Sequence, residues 1–172
     1  DVTLPVVDQG KLTGIITIGD IANAYMDVYD NCILSTAKTS YKNILETLDA
    51  KMIVGSEDGF FESGEVVIAT ANPDVLEDYI HPGDMVILGN RYETQLCAIE
   101  MGAACVVISM GAKVSKTIQH FAKEHNCIVI NTPYDSFTVA RLINQSMSIG
   151  YFMKKEKLTT FRVTDKTEDI RA

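Results

Sequence analysis

Three continuous apolar runs constrain this chain more than anything else in it: Met85-Val86-Ile87-Leu88, Cys105-Val106-Val107-Ile108 and Cys127-Ile128-Val129-Ile130, about twenty residues apart. A strand with one wet face alternates apolar and polar side chains, so a run with no polar member must be covered on both faces. Each run is followed by a segment with helical spacing, residues 93–101, 114–124 and 135–144. That alternation predicts an α/β fold, with a parallel sheet between helices. Residues 51–54 and 65–69 read as two further strands, joined by the polar loop 55–64. Ser40 is placed to cap a helix running to residue 48, and Asp135 to cap the helix that follows it. Asn72-Pro73-Asp74 opens a short helix with proline in its first turn.

The flanks have a different rhythm. Leu4-Pro5-Val6-Val7 reads as a strand, Asp8-Gln9-Gly10-Lys11 as a tight turn, and residues 12–18 as a second strand. A helix over residues 19–28 follows, with Ile21, Ala22, Tyr25 and Val28 on its apolar face. Thr17 and Asp20 stand at that junction, where the first helical N–H groups lack partners and the macrodipole is positive. Two readings stay open there. Thr17 and Asp20 form an ordinary helix start, or Thr17 donates to a phosphate oxygen while Asp20 accepts from ribose hydroxyls. Gly19 between them would let a phosphate approach the backbone.

At the other end, residues 149–153 are apolar, Met153-Lys154-Lys155-Glu156-Lys157 is a charged turn, and residues 159–163 favour a strand. Residues 165–172 start a helix that the sequence does not finish. The chain is therefore expected to be a piece of a larger protein, an α/β domain set between two halves of something else.

A net charge of −8 leaves no basic face of the kind a general nucleic-acid binder shows. The four cysteines, Cys32, Cys97, Cys105 and Cys127, have no CxxC spacing and lie among apolar residues, which predicts buried free thiols in a reducing compartment. No apolar run is long enough to span a bilayer and no signal peptide is evident, so a soluble cytoplasmic protein is expected, with no membrane partner. His81 adjoins Pro82 in a turn, and His120 and His125 are five apart, off the helical face two metal ligands would share. Arg91 follows an apolar strand at the edge where open α/β sheets place ligands, and pairing with a local carboxylate is the expectation for it. Neither a nucleophile elbow nor a P-loop is present, so no catalytic site is expected within this chain.

Leu4-Pro5-Val6-Val7-Asp8, the turn, and Gly14-Ile15-Ile16-Thr17-Ile18-Gly19-Asp20-Ile21 resemble the second half of a CBS domain. Residues 148–172 are similar to the opening of another CBS domain. The middle region resembles a DRTGG domain, whose first signature stands here as Gly89-Asn90-Arg91, with asparagine in place of the usual aspartate. Its second stands as Ser109-Met110-Gly111, in place of a threonine and two glycines. Those departures favour a structural or interface role for that domain over a ligand site. The resemblance implies three segments: 1–35, the C-terminal half of a first CBS domain; 36–145, a small, mostly parallel DRTGG-like α/β domain; and 146–172, the start of a second CBS domain, the CBS parts being α+β.

A DRTGG domain inserted between the two CBS domains of one pair resembles the regulatory insert of family II inorganic pyrophosphatases of the CBS-containing type. That resemblance implies regulation by adenine nucleotides, with AMP or ADP inhibiting and ATP or diadenosine polyphosphates activating. It implicates Val2, Thr3, Thr17, Gly19 and Asp20 in nucleotide binding, with Val163 and Thr164 on the adenine side. It also implies a homodimer built through CBS domains, and attached pyrophosphatase domains that hold manganese or cobalt outside this chain. Two other readings remain: the sensor of a transcription regulator, where the DRTGG domain is expected outside an uninterrupted CBS pair, and a structural dimerisation module with degenerate pockets.

Overall fold

The computed structural model describes residues 2–26, 30–70 and 73–153. The expected helix end at Val28, the helix opening at Asn72, and the charged turn, strand and final helix of residues 154–172 lie outside the described residues, as do Val163 and Thr164. The described chain forms two units, one of residues 2–24 and 152–153, the other of residues 25–151.

The smaller unit begins with strands β1 (Thr3–Asp8) and β2 (Lys11–Thr17), paired antiparallel from Thr3 opposite Thr17 to Asp8 opposite Lys11. Gln9 and Gly10 between them both take positive φ, 47° and 76°, the two-residue turn whose twist matches that of the strands it joins. Helix α1 (Ile18–Met26) follows directly. The strand expected to reach Ile18 stops at Thr17, which pairs with Thr3 and whose side chain caps α1.

The larger unit runs α2 (Ile33–Thr36), β3 (Thr39–Ser40), α3 (Tyr41–Thr47), β4 (Lys51–Val54), β5 (Phe60–Phe61), β6 (Val66–Ile68), α4 (Pro73–Leu76), β7 (Met85–Leu88), α5 (Tyr92–Glu100), β8 (Cys105–Ile108), α6 (Lys116–Glu124), β9 (Ile128–Asn131) and α7 (Ser136–Leu142). A tighter 3-10 turn over Ile143–Ser146 continues α7, and α8 (Ile149–Phe152) closes the described chain. The main sheet has the order β4-β9-β8-β7-β6. Its last four strands are parallel and β4 is antiparallel to β9. β3 and β5 form a separate two-stranded ribbon.

Burial follows from the apolar runs. All four residues of β7 and all four of β8 are buried. Val86, Leu88, Val106, Ile108 and Val129 pack into one core with Leu76, Ile80, Ala98, Ile99, Ile118 and Ala122 of the crossover segments. Strand side chains alternate between faces, so Met85, Ile87, Cys105, Val107 and Ile130 point the other way, where α3 and α7 supply Ile44 and Val139, also fully buried. Each such aliphatic side chain withdrawn from water contributes roughly 1.5–3 kcal/mol.

Ser40 accepts from the Asn43 N–H at 3.2 Å and Asp135 from Phe137 and Thr138 at 3.0 Å, so both act as the N-caps their positions suggest. One expectation fails. Cys97, Cys105 and Cys127 are buried, but Cys32 is exposed, because it sits at the mouth of a single-turn helix rather than inside an apolar strand. Among the described residues, no helix is long and apolar enough to cross a membrane.

Candidate functional site

The hairpin brings five of the seven candidate residues to one end. Thr3 lies opposite Thr17 in the β1–β2 register, and the Ile18 N–H donates to the Val2 carbonyl at 3.4 Å. Val2, Thr3, Thr17, Gly19 and Asp20 therefore meet where β1 begins, β2 ends and α1 starts. Val2, Thr3 and Gly19 are exposed, while Thr17 and Asp20 are half-buried.

Thr17 and Asp20 hold each other. The Thr17 hydroxyl donates to Asp20 Oδ2 at 2.7 Å, and the Thr17 N–H donates to the same oxygen at 2.9 Å. In return the Asp20 N–H donates to Thr17 Oγ1 at 3.1 Å. This is a capping box, with residues Ncap and N3 each satisfying the other's backbone donor. The helix-start reading is thus realised in full, and it sets a condition on the other. A phosphate oxygen that took the Thr17 hydroxyl proton would have to displace Asp20, whose carboxylate repels it. A ribose diol has no such conflict, since it brings donors to a carboxylate already fixed in place. A Cβ on Gly19 would sit 3.6 Å from Thr17 Oγ1, an ordinary contact, so packing does not demand glycine there.

A second place lies in the larger unit, at the C-terminal ends of β6 and β7. A cleft of about 240 Å³ is lined there by Ala69, Thr70, Gly89, Asn90, Arg91, Thr94 and Ser136. Gly89-Asn90-Arg91 stands in it as the sequence placed it, at the end of an apolar strand. The carboxylate partner expected for Arg91 is not found among the described residues, whose ion pairs within 4.0 Å are His81 with Asp84 and His120 with Glu124. Sequence reasoning missed Thr94 and Ser136. The signal was a hydroxyl residue three positions after Arg91, in the first turn of the helix that leaves the strand.

His81 is held at its N–H by Asp84 Oδ2 at 2.8 Å, and His125 stacks on Phe121 with ring centroids 4.0 Å apart. No group of three or more His, Cys, Asp or Glu side chains among the described residues is placed to hold a metal ion.

Against known proteins, the DRTGG domain model matches residues 43–146 and the CBS domain model residues 1–27. The chain is 37% identical over 170 residues to a cobalt-dependent inorganic pyrophosphatase of Clostridium perfringens, covering 98% of this chain and 31% of that protein. It is 30% identical over 168 residues to a probable manganese-dependent inorganic pyrophosphatase of Thermotoga maritima, covering 98% of this chain and 30% of that one. The chain thus spans about a third of the length of these relatives. Among solved structures, it matches the crystal structure of the CBS and DRTGG domains of the regulatory region of Clostridium perfringens pyrophosphatase, complexed with the activator diadenosine tetraphosphate. That match has a TM-score of 0.87 and 37% identity, over 98% of this chain and 74% of the other.

Proposed function

Since the chain belongs to the DRTGG domain family, with a CBS segment ahead of the DRTGG match, we propose that it is an adenine-nucleotide-binding regulatory region of a family II inorganic pyrophosphatase. AMP or ADP inhibits through it, and ATP or a diadenosine polyphosphate activates. The observation that carries this proposal is the convergence of Val2, Thr3, Thr17, Gly19 and Asp20 on one helix start. The diadenosine tetraphosphate complex of the matched regulatory region supports the ligand class. Asp20 accepts from the ribose diol, Gly19 in the exposed first turn faces the phosphates, and Val163 and Thr164 supply the adenine side. In this proposal residues 1–35 and 146–172 are parts of two CBS domains and residues 36–145 the inserted DRTGG-like domain.

The mechanism is a shift of population. A ligand moves an equilibrium only by its difference in affinity for the two states, so mono- and polyphosphates sharing a cleft act in opposite senses if each prefers a different arrangement of a CBS homodimer. Moving such an equilibrium from 1:99 to 99:1 takes a preference of about 10⁴-fold. The described residues do not suit a metal ion, so none enters these steps. Manganese or cobalt belongs to the attached catalytic domains, and the whole assembly to the cytoplasm.

Calorimetry on the complete protein with AMP and with diadenosine tetraphosphate tests the proposal. Asp20→Ala should weaken both by about tenfold or more, the scale of a hydrogen bond to a charged group. Thr17→Ser, which keeps the capping hydroxyl, should bind as the parent does. No binding of either nucleotide at millimolar concentration would sink it.

A further inference from the structure

We propose that the cleft at the ends of β6 and β7 is a second ligand site, independent of the nucleotide reading above, and that it takes a small phosphomonoester. Its position is where open α/β sheets leave a crevice, outside the C-terminal ends of their strands. Four features of the cleft agree on the ligand's chemistry.

The first is an uncapped helix start. α3, α6 and α7 each receive a side-chain cap, from Ser40, Ser115 and Asp135. The nine-residue α5 does not: its N-cap is Arg91, with extended backbone and no capping bond, and its first turn opens on the cleft. Uncapped first-turn N–H groups and the positive end of the dipole together suit an oxyanion. The loop that presents them is fixed, since the Gln95 side chain, 2% exposed, donates to the Gly89 carbonyl at 3.0 Å.

The second is an orphan. Thr94 is 3% exposed and lines the cleft, yet its hydroxyl has no hydrogen-bond partner, the one buried side-chain polar atom so left among the described residues. Buried polar groups are almost always satisfied, and a bound ligand is a standard reason for an exception. The third is Arg91, a guanidinium on the cleft wall with no carboxylate within 4.0 Å among the described residues, in a chain carrying 23 acidic side chains. Its planar fork fits two phosphate oxygens at once. Glu93 is exposed in the same helical turn and is not among the lining residues, so among the described residues Arg91 is the only charged side chain on the wall.

The fourth feature separates an ester from bare phosphate. The Ser109 hydroxyl donates to the Leu88 carbonyl at 3.0 Å and lies 3.1 Å from Ser136 Oγ. With the Ser109 proton on the Leu88 carbonyl, Ser136 donates to Ser109 and offers the cleft its lone pairs. A hydroxyl on the organic part of the ligand meets them; an oxyanion does not. A volume near 240 Å³ admits a phosphate with a few carbons, below the usual range for larger organic ligands.

The test is calorimetry and thermal shift on the complete protein with glycerol 3-phosphate, ribose 5-phosphate, glycerol and inorganic phosphate. The esters should bind, inorganic phosphate more weakly and glycerol not at all. Arg91→Ala should weaken ester binding by about tenfold or more, with partial rescue by Arg91→Lys, which keeps the charge without the fork. Thr94→Val keeps the shape and removes only the orphan, so it should raise Tm in the absence of ligand while cutting ester affinity by about tenfold. Asp20→Ala should leave ester binding unchanged, so failure here is distinct from failure of the nucleotide site. Absence of ester binding at 10 mM, on the order of the weakest metabolite affinities, overturns the proposal. So does ester binding that survives both Arg91→Ala and Thr94→Val.

Discussion

Replacing Gly64 by alanine should be the most damaging single-methyl change in the larger unit. Gly64 has φ +88°, a region that costs a residue with a Cβ about 1–2 kcal/mol. A Cβ there would also run into the Gly83 carbonyl, 2.5 Å from its carbon and 2.8 Å from Asp84 N. Backbone would have to move to relieve this, and that backbone is tied down on every side. The Gly83 N–H donates to Gly102 O at 2.9 Å, and the Asp84 N–H to His81 O at 3.1 Å. The buried Asp84 carboxylate accepts the Glu65 and His81 N–H groups at 2.9 and 2.8 Å, while Ser35 Oγ donates to the Gly64 carbonyl at 2.7 Å. Overpacking a rigid site costs about 1–3 kcal/mol, and alanine recovers about 0.4–1 kcal/mol by restricting the unfolded chain. The net is about 2–4 kcal/mol, or a fall of roughly 10 °C in Tm. Urea unfolding followed by circular dichroism measures it, with Gly111→Ala as the control. Gly111 also has positive φ, +61°, but nothing lies within 4 Å of its Cβ position, so it should lose only about 1 kcal/mol. Equal losses in the two variants would refute the steric part of the reasoning.

Two further outcomes are expected. The Asp135 carboxyl is held below the usual carboxylate range by the Thr138 hydroxyl and the Thr138 and Phe137 N–H groups, so its contribution is present at neutral pH and is lost as acid protonates it. The stability advantage of the parent over Asp135→Asn should accordingly fade below about pH 4, and denaturant midpoints that keep their separation into strong acid would contradict it. Of the four thiols, only exposed Cys32 should react quickly with an aromatic disulfide reagent in the native protein, with all four reacting after unfolding. Burial pushes the Cys105 thiol well above its ordinary value and Cys127 up to about 12, so fast reaction of Cys105 or Cys127 in the native state would mean that the sheet opens.

The sheet core was legible because two-sided burial leaves a chemical trace: β7 and β8 contain no polar residue, and nothing but coverage on both faces tolerates that. The caps at Ser40 and Asp135 and the Gln9-Gly10 turn were legible for a similar reason, since each is settled within a few residues of chain. The candidate helix start was readable as a pair, Thr17 and Asp20, but not the choice its atoms make. Whether the hydroxyl turns to its neighbour or away depends on the competing acceptors around it, and here it turns to Asp20 at 2.7 Å.

The sequence by itself therefore determined the alternation of buried strands and helices, the caps and the hairpin, because these rest on local torsions and on how much of a side chain must leave water. Tertiary structure alone decided the rest. A four-residue strand reads the same in either direction, and only pairing with β9 makes β4 antiparallel. Val2 meets Ile18 only through the hairpin register, and that Arg91 has no carboxylate within 4.0 Å among the described residues is a matter of placement that no spacing along the chain reveals. Thr94 is polar by composition and buried by placement: the sequence supplied the hydroxyl, and the packing of α5 against the sheet left it without a partner.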